Sequence, residues 1–153
     1  MKSKCMPDLT ARPHSWSFER QMKANAEDIY KAWTERFDWW FAQPGELLMT
    51  PEVDKPFFFY NKKEWGRHAH YGRFLELEKN KLAMLTWLTG APGTKVAETV
   101  IRLELTPNAN GTHVRFTHSG FADQESCDGH GQNWPAAFDF LEETLDKQKS
   151  PIK

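Results

Sequence analysis

A chain of 153 residues with 20 Lys and Arg against 21 Asp and Glu has a formal charge of −1, which excludes the broad cationic surface that non-specific nucleic-acid binding relies on. One domain of this size buries about 70% of the surface its unfolded chain exposes, so a core can form without metals or disulfides, and the two cysteines, Cys5 and Cys127, have no framework spacing. No apolar run reaches the length of a membrane helix and no signal-type hydrophobic stretch opens the chain, so the expectation is a soluble, reduced, cytoplasmic protein with no nucleic-acid partner and no membrane insertion.

Residues 1–13 carry two prolines, mixed charge and no sustained period, and are expected as a flexible N-terminal segment. From 14 to 23 the chain alternates, with Trp16, Phe18, Arg20 and Met22 on one side, the period of a half-buried strand. Asn25 suits a helix N-cap, Asp28 suits the positive end of the helix dipole, and Ile29, Ala32, Trp33 and Phe37 follow at helical spacing. Trp39-Trp40-Phe41 extends this apolar surface, as a second short helix or as the end of the first, before Gln43-Pro44-Gly45 stops it.

Four strands are expected next, over 47–50, 56–60, 68–78 and 81–88, with Pro51 and Pro56 placing the two short ones near edges or bends. Ala91-Pro92-Gly93 turns the chain into a strand with Ala97, Thr99, Ile101, Leu103 and Leu105 on its inner face. The turn Pro107-Asn108-Ala109-Asn110-Gly111 leads to a last strand over 112–119, whose inner face holds Val114, Phe116 and His118. After a polar span over 123–133, Trp134, Phe138, Leu141 and Leu145 form one helical stripe, with Pro135 suited to the helix's first turn. The result is an α+β domain over 14–147, an antiparallel sheet crossed on its apolar face by a C-terminal helix, followed by a tail over 148–153.

Several runs carry a family resemblance. Tyr71-Gly72-Arg73-Phe74-Leu75-Glu76-Leu77, Thr117-His118-Ser119-Gly120-Phe121, Trp33, Trp39-Trp40, and Gly131 to Trp134 followed by Phe138 and Leu141 resemble the Aha1-like (activator of Hsp90 ATPase homologue) branch of the Bet v 1/START, or SRPBCC, superfamily. The resemblance implies a helix-grip fold, with a curved seven-stranded antiparallel sheet around a long C-terminal helix, one or two short helices after the first strand, and a hydrophobic cavity between sheet and helix. Members of that group include small-molecule carriers, stress-response proteins and co-chaperones of Hsp90. Only one domain is visible here, without the additional Hsp90-binding domain of those co-chaperones.

The expected pocket residues are Arg20, Trp33, Phe37, Trp40, Tyr71, Trp87, Ile101, Leu103, Phe116, His118, Trp134 and Phe138. Arg20 could anchor an acidic ligand group or pair with a carboxylate of the protein. His118 could orient a ligand or move a proton near neutral pH, or be a structural histidine at a strand end. His68 and His70 lie two apart, and Asp123, Glu125, Asp128 and His130 gather in the polar span, but no zinc spacing connects them, so an exposed histidine pair is the ordinary reading and neither metal nor cofactor is expected. No nucleophile elbow is present and no catalytic residue is assigned. The leading function is the binding of a small hydrophobic or aromatic molecule. An Hsp90-like chaperone partner is the alternative, and acid/base chemistry in the cavity with His118 ranks third.

Overall fold

In the computed structural model, which describes residues 1–149, the alternating segments pair into one antiparallel sheet. The chain order is β1 (His14–Met22), α1 (Ala26–Thr34), β2 (Pro56–Tyr60), β3 (Ala69–Glu78), β4 (Leu82–Thr89), β5 (Thr99–Asn108), β6 (Gly111–Phe121) and α2 (Gln124–Lys149). The sheet order is β1-β6-β5-β4-β3-β2, so the first strand closes onto the last and β2 is an edge. This is a helix-grip arrangement with six strands rather than the expected seven. The segment 47–50 makes only a single bridge, Leu48 to Phe58, and the next hydrogen-bonded pair in that register would be Thr50 with Pro56, which has no N–H to extend the ladder.

Helix α1 starts where its cap requires. Asn25 Oδ1 accepts the Asp28 N–H at 2.8 Å, and Ile29, Ala32 and Trp33 are fully buried on the face that meets the sheet. A short 3₁₀ turn, Phe37–Trp39, follows it and buries Phe37. The strand expected to carry Ala97 on its inner face starts only at Thr99, since Lys95 and Val96 both take left-handed backbone conformations (φ 53° and 71°) in the preceding turn.

The largest correction concerns α2. The polar span is helical, because Asp123 acts as an N-cap, its Oδ1 accepting the Ser126 N–H at 2.9 Å. Pro135 therefore lies inside the helix rather than in its first turn. The core stripe of α2 is Cys127, Trp134, Phe138, Leu141 and Leu145, all buried, with buried Gly131 between the first two.

The segment 1–13 is tied down instead of loose. Ser3 donates its N–H to the Leu75 carbonyl (2.6 Å), and the Arg12 guanidinium donates to the Gly120 and Glu98 carbonyls (2.7 and 2.8 Å). The expected tail at 148–153 overlaps the end of α2, and its last four positions lie outside the described residues. No helix among the described residues is long and apolar enough to cross a membrane.

Candidate functional site

Four segments meet at one end of the sheet without filling the space between them. β4 ends at Thr89 and passes into the turn 90–97, the link after β2 supplies 61–68, the segment after the 3₁₀ turn supplies Phe41, and the first half of α2 crosses them. They line a cavity of about 890 Å³ that opens to solvent on one side, a size within the range of about 300–1,000 Å³ usual for small-molecule sites. Phe41, Trp65, Trp87, Trp134 and Phe140 form its apolar walls. Trp65 meets Phe140 edge to face at 5.4 Å, joining the 61–68 link to the helix.

The α2 residues facing the cavity recur at helical spacing as Ser126, His130, Asn133, Ala137 and Phe140. This stripe lies beside the core stripe. Near the helix start, Ser126 Oγ donates to the Gly93 carbonyl (2.9 Å) and Lys95 Nζ bonds Asp123 Oδ2 (2.9 Å) and Glu125 Oε1 (2.5 Å). These bonds clasp the β4–β5 turn to α2.

Four histidines stand at the site, and ring hydrogen bonds fix the tautomers of three of them, His70, His118 and His130. His70 stands on β3 between Phe59 of β2 and Thr89 of β4. The Asn61 amide nitrogen donates to the Lys62 and Gly66 carbonyls, so Asn61 Oδ1 accepts, and His70 Nε2–H donates to it at 3.1 Å. His70 Nδ1 then accepts from the Thr89 hydroxyl at 3.3 Å. Burial, reinforced by His130 and His68 nearby, lowers the His70 pKa to about 3, so the ring is neutral at pH 7.

His118 lies behind the cavity wall and is fully buried. Trp134 Nε1–H donates to His118 Nδ1 at 3.1 Å, leaving the proton on Nε2, which donates to Thr99 Oγ1 at 2.8 Å. The Thr99 hydroxyl donates in turn to the Trp87 carbonyl. Burial holds the His118 pKa well below its ordinary value, and both ring nitrogens are engaged. His118 thus ties α2, β6, β5 and β4 together and fixes one of the indoles of the cavity wall. In His130, Nδ1–H donates to the Ser126 carbonyl one turn back at 2.9 Å, so Nε2 carries the free lone pair of a cavity-lining ring.

A sheet crossed by one long helix, with an aromatic cavity under that helix, is the architecture expected from the sequence, and a family comparison decides its membership. Residues 23–146 match the family described as Activator of Hsp90 ATPase homolog 1-like protein. The chain belongs to this family. Solved structures agree on the fold. A Mesorhizobium loti protein is 27% identical, with a TM-score of 0.71 over 87% of this chain and 97% of its own. A Chromobacterium violaceum protein is 18% identical, with a TM-score of 0.74 over 87% and 98%. A Mycobacterium smegmatis protein is only 9% identical, yet reaches a TM-score of 0.74 over 100% and 99%. No curated protein matches this chain significantly.

Within this Hsp90-activator-homologue domain, the expected pocket residues divide into distinct places. Trp87 and Trp134 line the cavity. Trp33, Phe37, Trp40, Ile101, Leu103, Phe116, His118 and Phe138 are fully buried and lie behind it in the core. Arg20 is on the far side of the helix, where the protein's own Asp139 and Glu142 pair with its guanidinium (3.2 Å to Glu142). Tyr71 is 40% exposed on the outer face of the sheet, stacked on Phe58. Of the histidine pair expected to be exposed, His68 is exposed and His70 is buried, and both line the cavity. Among the described residues no group of three or more His, Cys, Asp or Glu is arranged to hold a metal ion.

The sequence reading missed Phe41, Asn61, Trp65, Phe140 and the turn 90–95. One signal was present for the helical part. Asp123 followed by Gln124-Glu125-Ser126 is an N-cap pattern, and starting the helix there brings Ser126, His130, Asn133, Ala137 and Phe140 onto one stripe.

Proposed function

We propose that this chain binds a small, largely aromatic molecule in the cavity beneath the first half of α2. The observation that carries the reading is the contrast in filling. About 890 Å³ stays open beside a core in which Trp33, Phe37, Trp40 and Phe116 have no exposed surface. Small residues keep it open, for Ser126, Gly129, Ala136 and Ala137 occupy the helix positions that larger side chains would fill. Burying about 150 Å² of apolar ligand surface there would contribute about 4 kcal/mol before the costs of association. The function is retention of the ligand, with walls already held rigid by the His118 and His70 hydrogen bonds.

Native mass spectrometry of gently purified protein, followed by thermal-shift screening of lipids, flavonoids and polyketides, tests the reading. At least one compound is expected to raise the melting temperature of the natural protein and not that of Ala137→Phe, which fills the cavity from α2. An unchanged melting temperature across the collection, with no retained molecule, would overturn it.

A second reading rests on a different surface. Leu48, Phe58 and Tyr71 are 69%, 37% and 40% exposed around the edge strand β2, an apolar patch of the kind that protein partners cover. Family membership supports a contact with an Hsp90-type chaperone there. ATPase turnover of the host Hsp90 homologue, measured with the natural protein and with Phe58→Ser/Tyr71→Ser, tests it, and no stimulation at micromolar concentration would end it.

A further inference from the structure

The charges and hydrogen-bonding groups around the cavity are arranged unevenly. Among the described residues that line it, the one ammonium is Lys95, held by Asp123 and Glu125, and the nearby Lys62 ammonium is engaged over the Phe140 ring at 5.6 Å, so no cation of the lining is left unpaired for an anionic ligand. His70 has a partner on each ring nitrogen, and the Ser126 hydroxyl is committed to the Gly93 carbonyl. His130 differs. Its Nδ1–H is bound to the Ser126 carbonyl, which aims the ring and leaves Nε2 as an acceptor on a side chain that lines the cavity. Burial lowers the His130 pKa, which keeps that acceptor unprotonated at neutral pH.

We infer that the cavity takes its aromatic ligand through a hydroxyl rather than a carboxylate, with the ligand O–H donating to His130 Nε2 and the ring lying among Phe41, Trp87 and Trp134. The inference rests on the proposed ligand-binding role of the cavity. A neutral hydroxyl supplies the donor that Nε2 lacks, and a hydrogen bond shielded by aromatic walls is made at little desolvation cost. A carboxylate brings no proton to donate, loses its own hydration, and approaches Glu125 and Asp123 while their shared cation is already occupied. His130 is thus a specificity-determining residue, and Ser126 positions it through a backbone carbonyl.

Three probes of one ring system separate these terms: naphthalene, 2-naphthol and 2-naphthoate, titrated calorimetrically at pH 7.5 into the natural protein, His130→Phe, His130→Gln and Ala137→Phe. In the natural protein 2-naphthol is expected to bind about tenfold more tightly than naphthalene, the worth of one well-placed hydrogen bond, with 2-naphthoate the weakest. His130→Phe should reduce the naphthol preference to within about twofold, while His130→Gln, which offers an amide oxygen, should keep part of it. Naphthoate binding as tightly as naphthol, or a naphthol preference that survives in His130→Phe, would overturn the inference and leave the cavity as a site for naphthalene. Failure of all three probes to bind the natural protein better than Ala137→Phe would overturn both the inference and the reading it rests on.

Discussion

Helix α2 presents two neighbouring stripes to the rest of the molecule, and they behave as different materials. The core stripe meets Phe18, Trp33 and Phe116 through Phe138, with ring centroids 5.1 to 5.9 Å apart. The cavity stripe, from Ser126 to Phe140, faces about 890 Å³ of open space. The same backbone supports both, so the difference lies in side-chain volume and polarity alone. Large rings on one stripe supply stability, and small or polar residues on the other leave room for a ligand.

Truncation should separate the two stripes most clearly. Phe138→Ala is expected to cost about 3–5 kcal/mol, or a fall in melting temperature of about 6–20 °C at about 2–4 °C per kcal/mol. Phe140→Ala, on the partly exposed cavity stripe, should cost about 1 kcal/mol and act mainly on ligand affinity. Urea unfolding of both variants checks this, and equal losses would erase the distinction between the stripes.

Acid is the next largest perturbation, because each region holds a histidine neutral. His70 in the cavity wall has its pKa lowered to about 3 by burial, and His118 in the core is lowered for the same reason. In the unfolded chain both rings take up a proton near pH 6.5, so the unfolded state binds more protons and stability falls as pH drops below that value. Each contributes about 1.4 kcal/mol per pH unit, for His70 down to about pH 3. His70→Asn should remove close to one proton from the slope of unfolding free energy against pH between 6 and 4.5. A slope equal to that of the natural protein would mean that His70 protonates freely in the fold.

A smaller effect distinguishes two indoles. Trp134 Nε1 has the His118 acceptor, whereas Trp33 Nε1 is a buried donor with no partner among the described residues. Trp134→Phe strands His118 Nδ1 and should cost about 1–3 kcal/mol beyond the volume change. Trp33→Phe removes an unmet donor and should cost less. Chemical denaturation of the two variants ranks them, and the opposite order would place an acceptor or a bound water at Trp33.

How far the site could be read from the sequence follows the same division. Trp134, Phe138, Leu141 and Leu145 were legible because burying large apolar groups leaves a 3.6-residue period. Ser126, His130 and Asn133 were not, since residues that leave a space open have the composition of a solvated surface. In β3 the obstacle was parity. Counting back by twos from Leu77 reaches Tyr71, but the register shifts between Phe74 and Glu76, and beyond that bulge it is His70 that points inward. Arg20 was placed on the correct face of β1, while its partners, Asp139 and Glu142, lie far along the chain and left no local trace.

Two glycines on α2 give the finest test of the comparison, because adding one methyl to each should change stability in opposite directions. A Cβ on Gly129, at the cavity end of the helix, would meet no atom within 4 Å, so Gly129→Ala should stabilise by about 0.5–1 kcal/mol through the lower backbone entropy of alanine. A Cβ on Gly131 would lie 2.6 Å from Trp16 Cδ1, and that ring is itself packed against Phe18 and Phe116. The crowding cost of about 1–3 kcal/mol outweighs the same backbone gain, so Gly131→Ala should destabilise by about 1 kcal/mol. Thermal unfolding of the two single variants reads the signs directly. Stabilisation by both would mean that Trp16 swings aside without cost, and that the close approach of α2 to β1 is not what holds the core stripe of the helix against the sheet.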